Sequence, residues 1–109
     1  MIAICNPDNP TGALMSADVM AGVVAIAMEA DCWILSDEVY RGAELNGVES
    51  PSFCGLHEKT IVNAGLSKAY RLPGLRLGWT VGPADYIKTA WAFHDYTTIS
   101  IAYHSDWVA

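Results

Sequence analysis

Lys68 stands in a turn-rich stretch, NAGLSKAYRLPGLRLGW (63–79), with Ser67 before it and Arg76 after it. Of the 6 Lys and Arg in a chain of net charge −6, Lys68, Arg71 and Arg76 all fall inside this stretch. A lysine that is desolvated or set beside other positive charge becomes a nucleophile and forms imines with carbonyls. Lys68 follows an apolar run and has two arginines close in sequence, so it meets that demand; the other reading is a solvated loop lysine. Arg76 offers a planar fork of donors that suits a phosphate, or equally a surface carboxylate.

Asp37 follows the apolar run Cys32–Ser36. A carboxylate in that position is costly unless partnered, and a protonated ring nitrogen, a helix-capping role or an ion pair with Arg41 would each partner it. Tyr40 shares a side with Asp37 if the chain turns helically after the strand, and its phenol can then donate to a ring oxygen or simply pack. Asn9 lies in the turn cluster NPDNPTG (6–12), where Asn commonly bonds its own backbone. His57, His94 and His104 have no metal-ligand spacing to one another or to the cysteines, and read as structural or solvated. Gly65, Gly74, Gly78 and Gly82 make no dinucleotide fingerprint, and no P-loop is present.

The elements that must position these residues follow from patterning. Ile2–Cys5 reads as a short buried strand ended by the Asn/Pro turn. Ser16 is an N-cap with Asp18 in the first turn. From Ala17 to about Ala30, Val19, Met20, Val23, Val24, Ala27 and Met28 recur at helical spacing, apolar over enough of the circumference to predict burial between a sheet and a second layer. Cys32–Ser36 and Thr60–Asn63 are strands two and three, separated by an irregular excursion over 41–58. Leu75–Val81 is the fourth, and Pro83 opens a helix through roughly Ala84–Tyr96, with Thr97–Ser100 as a polar exit. Strands alternating with a helix predict an α/β fold, a mostly parallel open sheet with flanking helices. The link from strand three to strand four is too short for a parallel crossover, so the last strand is expected to be antiparallel. Ligands of open α/β sheets sit beyond the C-terminal strand ends, which is where Asn9, Asp37, Tyr40 and Lys68 fall.

Composition limits the partners. The 109 residues are 52% apolar and 17% charged, the balance of one globular unit. The acidic balance argues against nucleic acid or an anionic membrane, and no apolar run approaches a membrane span. Three cysteines, Cys5, Cys32 and Cys54, form no disulfide framework and no signal peptide is seen, which points to a cytoplasmic protein. Met1 already stands in an apolar run and Asp106-Trp107-Val108-Ala109 carries no stop signal, so residues 1–109 are expected to be one part of a larger domain, truncated at both ends.

In order and spacing, NPDNPTG (6–12), SDEVY (36–40) and GLSKAYRLPGLRLGW (65–79) resemble the central part of the class I/II aminotransferases, pyridoxal 5'-phosphate enzymes of fold type I. The resemblance implies that these residues belong to the cofactor-binding large domain. It implies that Lys68 bonds the cofactor as a Schiff base and shuttles a proton, that Asp37 pairs with the pyridine nitrogen, that Tyr40 and Asn9 bond the ring oxygen, and that Arg76 and Ser67 hold the phosphate. It further implies amino acid and 2-oxo acid substrates and a homodimer. Two positions depart from the family pattern: Gly65 stands where many relatives carry a phosphate-contacting Ser or Thr, and Arg71 stands where Gly is common. A ring-stacking aromatic, a Gly-rich phosphate loop and a substrate-carboxylate arginine are expected from outside these residues. Alternatives are a fold type I lyase or synthase using the same Lys, Asp and Arg, or a non-catalytic fragment.

Overall fold

The structure, a computed structural model, describes residues 1–109. Four strands, β1 (Ile2–Cys5), β2 (Ile34–Asp37), β3 (Thr60–Gly65) and β4 (Gly78–Val81), form one sheet in the order β1-β2-β3-β4. The first three are mutually parallel and β4 runs antiparallel to β3, as the short connection requires. Helix α1 (Ala17–Glu29) crosses between β1 and β2, α2 (Ala84–His94) follows β4, and a short α3 (Tyr103–Val108) ends the chain. No helix is long and apolar enough to cross a membrane.

Register fixes which side chains share a face. Cys5 pairs with Asp37, Asp37 with Asn63 and Asn63 with Thr80, so these four point to one side at the strand ends. Ile34 and Val62 point to the other side and pack with Met20 and Ala27 of α1 and with Phe53. The core therefore lies under α1, and Asp37 faces away from it. Ser16 caps α1, its Oγ accepting from Val19 N at 3.3 Å. Two-sided burial of α1, expected from its apolar circumference, is met on one side only: Met20 and Ala27 are buried, whereas Val19, Ile26 and Met28 are exposed.

Several boundaries differ from the sequence expectation. β2 begins at Ile34 because Cys32 N still bonds Ala27 O at the helix exit, and it includes Asp37, whose carbonyl accepts from Asn6 N at 3.0 Å. β3 extends to Gly65 because β4 supplies partners for Ala64 and Gly65. β4 starts three residues later than expected: Pro73–Leu75 form a 3-10 turn, and Arg76 takes a left-handed conformation (φ 52°) that cannot continue a strand. α2 stops at His94, whose carbonyl collects the amides of Thr97, Thr98 and Ile99. α3 had no signal in the patterning.

The 41–58 segment holds no helix or strand, yet it is anchored. Phe53 is fully buried, and its amide donates to Glu38 Oε1 at 2.9 Å, as does Ser36 Oγ at 3.0 Å. Glu44 accepts from Ser50 N, Ser50 Oγ and Gly42 N. Desolvation pushes the Glu44 carboxyl up, but the Ser50 and Gly42 hydrogen bonds outweigh it and hold the group below the ordinary range.

Candidate active site

The C-terminal ends of β1, β2 and β3 deliver their following turns to one place. After β2, Asp37 Oδ1 accepts from Val39 N at 3.2 Å while Glu38 N continues the ladder to Asn63 O. That bond bends the chain into the turn that carries Tyr40. The ion pair between Asp37 and Arg41 does not form; Arg41 Nε donates to Ser50 O at 2.8 Å and its guanidinium pairs with Glu49 at 3.0 Å. Asp37 is half-buried and keeps one carboxylate oxygen without a hydrogen bond to the protein.

After β1, the turn places Asn9 so that its Nδ2 donates to Tyr40 Oη at 3.0 Å. Asn9 thus bonds a distant phenol, not its own backbone. Asn6, buried at the start of the same turn, holds it through Oδ1, which accepts from Met15 N at 2.9 Å. After β3, the loop to β4 is closed by Leu66 N to Leu77 O (3.0 Å), Leu72 N to Leu66 O (2.9 Å) and Arg71 N to Lys68 O (3.0 Å). Ala69 N reaches Val39 O at 3.4 Å, tying this loop to the one that carries Tyr40.

Lys68 Nζ lies 5.7 Å from the centroid of the Tyr40 ring. Lys68 is exposed, so the desolvation expected of it after a buried strand is not supplied by these residues. Arg76 donates to Pro73 O at 3.0 Å and has no carboxylate partner, which leaves most of its donor fork available. Ser67 is half-buried. One cavity of about 690 Å³ is lined by Asn9, Asp37, Tyr40, Ser67, Lys68 and Arg76, with Gly65 and Gly78 also in its wall. All six site residues singled out from sequence meet there. Arg71 does not line it and is exposed, with φ 58°.

Five further residues, Cys5, Val39, Ala64, Leu77 and Gly78, line the cavity without a site role assigned from sequence. Cys5 is the register partner of Asp37, so strand alternation alone would have put it there. Val39 sits between Asp37 and Tyr40 in the turn. Gly78 pairs with Gly65, a relation that appears only once β3 and β4 are in register. No group of three His, Cys, Asp or Glu could hold a metal ion. His57 and His94 lie against the carbonyls of Cys32 and Ile99, in line with structural roles.

The chemistry of the donor set fits pyridoxal phosphate. An amine is available for an aldehyde, a carboxylate for a ring N–H and a phenol for a ring oxygen, and a guanidinium with a hydroxyl is available for a phosphate. Two cations face one carboxylate across the cavity, a balance that favours an anionic guest.

The comparisons with known proteins agree with this geometry. The family model described as aminotransferase class I and II matches residues 1–103. The chain is 31% identical over 106 residues to an aspartate aminotransferase of Streptomyces avermitilis, covering 94% of this chain and 26% of that protein. It is 40% identical over 91 residues to the glutamate-pyruvate aminotransferase AlaA of Escherichia coli, covering 80% of this chain and 22% of that protein. Among solved structures, a PLP-dependent aminotransferase from Streptococcus suis superposes with a TM-score of 0.89 at 38% identity, over 98% of this chain and 28% of that one. Thermus thermophilus aspartate aminotransferase with maleate gives 0.88 at 28% identity, over 96% of this chain and 28% of that one. The chain thus spans about a quarter of the length of the relatives it matches. It belongs to the class I and II aminotransferase family, whose fold type I large domain its sheet and flanking helices match.

Proposed function

We propose that residues 1–109 form one wall of a pyridoxal-phosphate site, part of a cofactor-binding large domain, in an enzyme that moves an amino group between an amino acid and a 2-oxo acid. The observation that carries this reading is the meeting of Lys68, Asp37, the Asn9–Tyr40 pair, Ser67 and Arg76 around one cavity.

Bound there, the cofactor supplies an aldehyde that bonds amines and a ring that accepts electron density from the substrate Cα. Lys68 would hold it through Nζ and would supply the amine that serves as base for the substrate Cα proton. Asp37 would keep a proton on the ring nitrogen: its Oδ1 is fixed by Val39 N, and its other oxygen is left to accept. Tyr40, oriented by Asn9, would donate its phenolic proton to the ring oxygen. Arg76 and Ser67 would hold the phosphate with charged and neutral donors.

A lyase or synthase would use the same Lys, Asp and Arg; the aminotransferase names of the relatives favour amino transfer. By the same family likeness the substrates are amino acids and 2-oxo acids and the assembly is a homodimer, and the three free cysteines suit a cytoplasmic location. The test is a half-reaction. Full-length protein loaded with pyridoxal phosphate and given an amino acid, without any oxo acid, should release one equivalent of 2-oxo acid per site. Release of ammonia, carbon dioxide or a side-chain fragment in its place would assign a lyase or synthase.

A further inference from the structure

We propose that Gly78 is a positioning residue for the phosphate clamp, because its lack of a side chain lets β4 approach β3 closely enough to hold Arg76 in the same cavity wall as Ser67. This rests on the reading of Arg76 as a phosphate ligand. Gly65 and Gly78 are the last register pair of the β3–β4 ladder, and Leu66 N to Leu77 O, at 3.0 Å, carries the ladder one step further. Leu77 is thereby held against Leu66, and the residues on either side of that bond, Arg76 and Ser67, both line the cavity.

The approach leaves no room for a Cβ. One built on Gly78 would lie 2.8 Å from Ala64 O, and one on Gly65 would lie 3.1 Å from Leu77 O and 3.2 Å from the Gly78 Cα. These are backbone atoms of the paired strand, so they cannot rotate aside as a side chain would. Gly74, in the loop between the strands, would meet nothing within 4 Å, so the constraint belongs to the strand pair. A Cβ at position 78 must therefore push the start of β4 away from β3. Two residues upstream of that start the chain turns left-handed at Arg76 (φ 52°). The guanidinium moves with it. Asn9, Asp37 and Tyr40 hang from β1 and β2 and keep their places.

The experiment compares affinities of the full-length protein for pyridoxal phosphate and for pyridoxal, which lacks the phosphate. Gly78→Ala should lower the ratio of the two by roughly ten- to a hundred-fold, the cost of an ångström-scale misplacement of a clamp. In an Arg76→Ala background the same change should move the ratio by no more than about two-fold, because the group it displaces is gone. Gly82→Ala, whose Cβ would meet Thr60 O at an ordinary 3.4 Å at the other end of β4, should leave the ratio unaltered. If Gly78→Ala does not fold, Gly65→Ala reads the same strand approach and should give a smaller fall in the same ratio. Equal weakening toward both ligands, an unchanged ratio, or a fall that adds fully to that of Arg76→Ala would each overturn the proposal. Failure of the unsubstituted protein to bind pyridoxal phosphate would instead overturn the cofactor reading on which it rests.

Discussion

Asn9 Nδ2 donates to Tyr40 Oη at 3.0 Å, joining the turn after β1 to the turn after β2. The bond uses an acceptor lone pair of the phenol and leaves its proton free to be donated into the cavity. Asn9 and Tyr40 therefore act as one unit. Asn9→Ala and Tyr40→Phe should each weaken cofactor binding, and the double variant should be weaker than either single by much less than the sum. A coupling of about 0.5–1.5 kcal/mol in a binding cycle is expected for one such hydrogen bond; full additivity would separate the two residues.

Asp37→Asn tests charge apart from shape. Asparagine keeps an oxygen for Val39 N, so the turn and the melting temperature should be preserved. Loss of the negative charge opposite the ring nitrogen should lower kcat by roughly a hundred-fold or more, the scale of removing one preorganised electrostatic contact. Unchanged turnover would assign Asp37 to turn capping alone.

Arg76→Ala should raise the dissociation constant for pyridoxal phosphate by roughly ten- to a hundred-fold, as befits loss of a charge-assisted contact of about 1.5–3 kcal/mol. Arg41→Ala is the control. Arg41 is spent on Ser50 O and Glu49 outside the cavity, so its loss should leave that constant unaltered. Equal effects of the two would point to bulk positive charge.

Glu44 gives the 42–50 loop a pH dependence. Its carboxyl is held below the ordinary value of 4.5 in the folded state, chiefly against desolvation and by the Ser50 hydrogen bonds. The stabilisation is present above that value and is lost as pH falls through the lower folded pKa. Amide exchange at Gly42 and Ser50 should therefore speed up, beyond the intrinsic pH effect, as pH drops below 4.5, and Glu44→Gln should remove most of that step. An identical profile in the variant would remove Glu44 from the account.

The chain expressed on its own should associate. Only 14 of 109 residues are buried, while Trp91, Phe93, Tyr96, Tyr103 and Trp107 are all more than half exposed. The outer edges of β1 and β4 also lack strand partners. Exposed apolar surface and open edges of this kind favour aggregation. A monodisperse monomer with a sharp unfolding transition would contradict this.

The convergence of Asn9, Asp37 and Lys68 is legible in residue order: each follows an apolar run, and parallel pairing of those runs brings them to one cavity. The antiparallel β4 followed in the same way from the short link after β3. What escaped depended on partners distant in sequence. Phe53 becomes core through Glu38 and Ser36, and nothing in its surroundings in sequence marks it. β4 starts later than its β-prone residues suggest because Pro73–Leu75 and the left-handed Arg76 spend residues on a turn before pairing begins. Gly78 gains its meaning only opposite Gly65. The exposure of Lys68 was also not legible, since burial of a strand says little about the residue that leaves it.

Covalent attachment at Lys68 is tested by treating the full-length protein, incubated with pyridoxal phosphate, with borohydride and mapping the modified peptide by mass spectrometry. The expected result is loss of the visible absorption band and a reduced pyridoxyl-phosphate adduct on the peptide carrying Lys68, with no adduct in Lys68→Ala. An adduct on Lys59 or Lys88 in its place, or no adduct at all, would contradict it.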